Sequence, residues 1–192
     1  SKDIEIRVTV ENYEPIEGSI NATVTKKDVK LTSATDSKKY DGNPLTAESV
    51  TAEGFVEGEG ATYSNFASIT NVGSKNNTFE YTMNEGTLEG NYNIQVVNGK
   101  LTITNSDTPL SFAEGSPEGY TGVYDGAAHD ALTALTVNGI EGETFVYGRD
   151  EMKVEYKVGD DWTEEMPQVT NVSDSKDIEI RVTVENYEPI EG

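Results

Sequence analysis

The sequence predicts an all-β chain of two tandem β-sandwich domains, and three observations carry that expectation. Eighteen residues, Ser1 to Gly18, return letter for letter as Ser175 to Gly192, an offset of 174 positions. Short runs rich in Thr, Val, Ile and Tyr alternate apolar with polar residues and are separated by Gly, Asn, Asp and Pro. No stretch sustains an apolar pattern at helical spacing. The exact repeat makes the chain one period of a tandem array plus an overlap.

A fainter repeat divides the long period. Tyr40-Asp41-Gly42 recurs as Tyr124-Asp125-Gly126, and Thr70-Asn71-Val72 as Thr170-Asn171-Val172. Asn91-Tyr92 recurs as Asn186-Tyr187, whose earlier copy is Asn12-Tyr13. Thirteen residues past Asn12 and past Asn91 stand Thr25 and Thr104, each closing an alternating run. The expected division is therefore 1–25, the closing strands of a preceding unit; 26–105, a first sandwich; and 106–192, a second one lacking its final strand. Two domains also suit a length of 192 residues.

Each element has its local reason. Ile4, Ile6, Val8 and Val10 alternate with Glu5, Arg7, Thr9 and Glu11, which is a strand with one buried face. Asn12 to Gly18 reads as a turn and Ile20 to Val24 as the closing strand. In the first unit, Val29–Ser33 opens, Tyr40-Asp41-Gly42-Asn43-Pro44 is turn chemistry, and strands are expected around Ser49–Phe55, Ala61–Thr70 and Thr78–Met83. Tyr92–Val97, Asn98-Gly99 and Lys100–Thr104 read as a hairpin, since Asn-Gly between apolar runs is a strong turn signal. The second unit begins near Leu110 and is longer between its landmarks. The extra residues largely coincide with a further hairpin, Met152–Val158 and Trp162–Met166 about Gly159-Asp160-Asp161.

Charge and composition exclude several classes. A formal net charge of −21 argues against nucleic acid or an anionic membrane as partner. No apolar run is long enough to span a bilayer. With no cysteine, disulfides, thiolate nucleophiles and Cys-based zinc sites are ruled out.

The landmarks resemble the MBG family, immunoglobulin-like repeats of bacterial surface proteins. The matching residues are Tyr40-Asp41-Gly42, Asn71-Val72-Gly73, Gly90-Asn91-Tyr92 and Leu101–Thr104. In the second unit Ser173 and Glu185 stand where the first has Gly73 and Gly90. The resemblance implies immunoglobulin-like sandwiches (β-grasp-like repeats being the alternative), an extracellular place on a bacterial cell surface and a stalk or spacer role. It brings no catalytic residue and no cofactor.

Each candidate site also has a plainer reading. The single histidine, His129, reads as a surface-loop residue. Glu141/Glu143 and Glu164/Glu165 read as solvated acids on strand rims. Asp160 and Asp161 on a hairpin tip are the calcium candidates, although the loop that would supply the other oxygen ligands is missing. Trp162 is the candidate for stacking on a sugar, against a strand tryptophan half-buried in its own sandwich. Lys30 and Asn93 are the pair that an isopeptide crosslink would use, against a solvated lysine. The chain is expected to be a non-enzymatic stalk that projects a binding head and touches neighbouring repeats. Adhesive repeats for host glycan or protein, or an accessory carbohydrate-binding domain, are the alternatives. Weak head-to-tail self-association through Ser19–Thr25 is also expected, by strand addition to an open sheet edge.

Overall fold

The structure, a computed structural model, describes residues 2–192 and is all-β. The first strands are β1 Lys2–Val8, β2 Ile16–Ala22, β3 Lys27–Ser33, β4 Asp36–Lys39, β5 Val50–Glu53, β6 Ala61–Ser64, β7 Gly73–Asn77, β8 Glu80–Met83, β9 Tyr92–Val97 and β10 Gly99–Thr104. There follow β11 Ser111–Phe112, β12 Glu118–Gly119, β13 His129–Asp130, β14 Leu132–Ala134, β15 Thr136–Asn138 and β16 Thr144–Val146. The chain ends on β17 Lys153–Val158, β18 Asp161–Thr163, β19 Gln168–Val169, β20 Ile180–Thr183 and β21 Ile190–Glu191. The strands form several small sheets of the sandwich class.

The chain divides into two compact units, the first holding residues 1–34, 48–66 and 78–99, the second 35–47, 67–77 and 100–192. The stretch 26–105 therefore gives strands to both. A repeat marks a phase of the sequence, whereas a compact unit marks which strands share a core.

In the first unit β3 lies between β5 and β9, and β6 pairs with β8. Val29 and Leu31 point inward from β3 while Asp28 and Lys30 stay in water, the period of two expected of a strand. Tyr92 is buried beside them, edge-on to Phe55 at 5.1 Å between ring centroids. β1 and β2 form a separate antiparallel hairpin in register from Lys2↔Ala22 to Val8↔Ile16. β2 thus begins inside the stretch read as a turn.

In the second unit β10 lies between β4 and β7, over Leu45, Ala67, Leu101 and Ile103. A larger core gathers Leu135, Val137, Tyr156, Ile180, Val182, Val184 and Tyr187 beneath the sheet β18-β17-β20-β21. The hairpin expected near residue 159 forms, with β17 and β18 paired from Tyr156↔Thr163 to Val158↔Asp161 and Gly159 at φ +65.

The hairpin expected across Asn98-Gly99 does not form. β9 pairs in parallel with β3, and β10 pairs in parallel with β4. Gly99 is absent from the positive-φ residues, so no type I′ turn exists there. Its role is close approach instead: a Cβ on Gly99 would lie 2.2 Å from the Ala34 carbonyl oxygen. The Gly99 N–H donates to Ser33 Oγ at 2.9 Å.

Candidate functional site

The residues singled out from sequence are spread over the surface. Asp160 is in the turn between β17 and β18 and Asp161 is the first residue of β18. Among the described residues no group of three or more His, Cys, Asp or Glu is placed to hold a metal ion. Trp162 is partly buried on β18, with the Arg181 guanidinium 4.2 Å from its ring centroid and Lys157 Nζ at 5.8 Å. One cation already occupies ring surface that a sugar would use. Asn93 donates to Asp28 Oδ1 at 2.9 Å, and Lys30 stands opposite Gln95 and Glu53, both Lys30 and Asn93 being exposed.

Glu143, read from sequence as a solvated rim acid, is instead the centre of a clasp. Tyr40 Oη donates to Glu143 Oε1 at 2.6 Å, and Tyr187 Oη donates to Oε2. The two rings meet edge to face at 5.7 Å. The Ile140 N–H donates to Tyr187 Oη at 2.9 Å, fixing the tyrosine from its other side. Beside it, the Val72 N–H donates to Asn186 Oδ1 at 2.6 Å, Asn71 donates to Glu185 Oε2 at 3.3 Å, and the Ser106 N–H donates to the Asn186 carbonyl at 2.9 Å. Tyr40, Asn71 and Val72 come from the stretch 26–105, the remainder from 106–192, and all lie in the second compact unit. The landmarks that reveal the repeat are thus residues that join one repeat to the next.

The first compact unit holds a simpler counterpart. Tyr92 Oη donates to Glu59 Oε2 at 2.6 Å, and the Val56 N–H donates to Tyr92 Oη at 3.2 Å. Glu59 and Glu143 differ by the same 84 positions as Tyr40 and Tyr124, as do Val56 and Ile140. That shared offset was the signal by which sequence could have found the clasp.

A groove of about 590 Å³ opens elsewhere in the second unit, lined among others by Tyr120, Tyr124, His129, Tyr156 and Asn171. His129 is a residue of β13, not of a loop, and is the positional counterpart of Leu45: His129↔Val169 repeats the bridge Leu45↔Ile69. Its ring stacks on Tyr120 at 4.1 Å, and its Nε2 is 3.1 Å from Asp125 Oδ1. The Ala127 N–H, and after it His129, hold the Asp125 carboxyl below its ordinary range. Tyr156 is buried, and burial pushes its phenol up.

The clasp carries a pH signature. The hydrogen bond to Glu143, then burial, pushes the Tyr40 phenol up from 10.0 to about 12. A folded-state value above the unfolded one means that the neutral phenol stabilises the fold. That contribution is complete below pH 10.0 and is lost as pH rises toward about 12. Tyr40→Phe should therefore be less stable than the parent by about 1.5–3 kcal/mol near pH 8, the range for a hydrogen bond to a charged group. The gap should narrow through alkaline pH, measured as urea midpoints of the two proteins in parallel. A gap independent of pH would sink this reading of the clasp.

Among the described residues no helix is long and apolar enough to cross a membrane. No curated protein and no solved structure matches the chain. Residues 29–102 match the MBG domain (YGX type), whose family is associated with repeats of bacterial surface proteins. The stretch that carries Tyr40-Asp41-Gly42, Asn71-Val72-Gly73 and Gly90-Asn91-Tyr92 is a domain of the MBG family.

Proposed function

We infer that the chain is a spacer segment of a bacterial surface protein, built of repeats that hold a binding head away from the cell. The observation that carries this reading is the clasp between consecutive repeats. The polar connector Asn105 to Pro109 and the clasp both lie inside the second compact unit, so parts of consecutive repeats share one folded body. Here Glu143 takes two tyrosine hydroxyls from the two stretches it joins, and Asn186 caps the Val72 N–H. Asn105 adds a bond to Glu188 Oε1 at 2.6 Å. Each repeat thereby grips its neighbour, the arrangement that gives repeat arrays their one-dimensional stiffness. The net charge of −21 keeps such a stalk soluble and repels neighbouring stalks.

The groove at Tyr120 and Tyr124 favours a second reading, an adhesive repeat that binds a glycan by stacking. Tyr124 is 64% exposed, and aromatic faces beside hydrogen-bonding groups suit sugars. A glycan and matrix-protein array probed with the whole chain separates the two readings. The spacer reading expects no reproducible binding. Binding that is lost on Tyr124→Ala would replace it with adhesion at the groove, and binding lost on Trp162→Ala would replace it with adhesion at β18.

A further inference from the structure

The clasp has two parts, and each part occurs twice in the chain. One part is the turn Tyr40-Asp41-Gly42, with its copy Tyr124-Asp125-Gly126. Both copies fold alike. Asp41 Oδ1 accepts the Asn43 N–H and Asp125 Oδ1 the Ala127 N–H, each at 2.9 Å, and Gly42 and Gly126 sit at φ +76 and +79. The other part is a glutamate that takes the hydroxyl of a tyrosine fixed by a backbone N–H. Glu143, Tyr187 and the Ile140 N–H form one copy, and Glu59, Tyr92 and the Val56 N–H the other.

Where a turn is followed in sequence by the glutamate of the next repeat, the two meet. Tyr40 donates to Glu143 Oε1 while Tyr187 holds Oε2, and a Cβ on Gly42 would lie 3.2 Å from Ile140 Cδ1. The turn thus comes from one repeat and the glutamate from the repeat after it. The exact return of Ser1–Gly18 as Ser175–Gly192 makes the array alternate, so a first-type repeat follows each second-type one.

We propose that Tyr124 of one period donates its hydroxyl to Glu59 of the next, so that the array is clasped at both kinds of junction. The partner is the following repeat of the same array. Tyr92 keeps Glu59 Oε2, and Tyr124 takes Oε1, the place that Tyr40 has on Glu143. Gly126 lies against Val56 as Gly42 lies against Ile140. The asparagine half of the clasp is not carried over. Asn186, which caps the Val72 N–H, sits at φ +76, whereas Asn91 has no positive φ and ends the 3-10 turn Glu89–Asn91. The second junction is therefore the softer one, and firm and softer joints alternate along the stalk. The proposal rests on the spacer reading and adds to it the residues of the second joint.

The test compares the full chain with an extended chain in which residues 19–192 follow Gly192, continuing the repeat in phase. Tyrosine rings in contact couple to dityrosine under brief photo-oxidation, and peptide mass spectrometry locates each pair. Tyr40 and Tyr187, with ring centroids 5.7 Å apart, should couple in both chains. Tyr124 should couple to Tyr92 in the extended chain alone, at a dilution that suppresses coupling between molecules. Absence of that pair, or an equal yield in the full chain, would overturn the proposal. Absence of the Tyr40–Tyr187 pair would take the clasp down with it. A double-mutant cycle in the extended chain gives a second readout. Tyr124→Phe in the first copy and Glu59→Ala in the second should be non-additive by about tenfold or more in the unfolding equilibrium constant. Tyr124→Phe with Glu59→Ala in the first copy should be additive, and additivity in both cycles would also overturn the proposal. A glycan array moves neither readout, so failure of this joint and failure of the spacer reading are told apart.

Discussion

Ile180→Ala is expected to lower the stability of the second unit by about 2–5 kcal/mol, and Ile6→Ala to stay within about 0.5 kcal/mol. The two isoleucines share the same flanking residues and the same hairpin register, so strand propensity and unfolded-chain effects cancel between them. What remains is burial. Ile180, the first residue of β20, is 4% exposed and belongs to the larger core, and Ile6 is 41% exposed. Removing a buried side chain loses its transfer free energy and leaves a cavity, whereas an exposed one loses little of either. Urea unfolding of both variants checks this directly. Equal losses would mean that the two copies of the hairpin share one environment, contrary to the structure.

This pair of residues also marks what could be read in the sequence. The alternation Ile-Glu-Ile-Arg-Val-Thr-Val announces a strand with one apolar face in both copies, and both copies are strands. The alternation cannot announce whether a second layer exists to cover that face. The MBG landmarks were legible for a related reason: turns need particular residues at particular places, and turn chemistry is local. Glu143 was obscured because the chain holds 35 acidic residues, and composition alone makes any one of them look like solvated surface. Its partners Tyr40 and Tyr187 stand far from it in sequence, and only the offset shared with Glu59 could have marked it out. Trp162 was legible as a strand residue, but the Arg181 above it lies on β20, across β17 from the tryptophan's own strand. The groove was missed because His129 replaces Leu45, and a histidine beside a turn looks like loop.

Gly99→Ala is the second large effect expected, and it tests a hairpin that the sequence predicts and the structure does not form. Were Asn98-Gly99 a type I′ turn, alanine there would pay only for a left-handed conformation, about 1–2 kcal/mol. In the structure the glycine has an ordinary φ but lies against the chain at Ala34, where an added Cβ would meet the carbonyl oxygen at 2.2 Å and the carbonyl carbon at 2.5 Å. The obstacle is backbone, so no side-chain rotation relieves it. Its displacement would pull on the Gly99 N–H bond to Ser33 Oγ and on the parallel register of β3 with β9, from which Val29 and Leu31 enter the core. The expected loss is about 3 kcal/mol or more, at the upper end of overpacking. Gly86→Ala serves as reference: it sits at φ +87 with nothing within 4 Å of an added Cβ, so only the conformational penalty of about 1–2 kcal/mol applies. Urea midpoints of the two variants should therefore differ clearly, with Gly99→Ala the weaker. Equal midpoints would restore the hairpin and remove the parallel pairing of β9 with β3 from the fold.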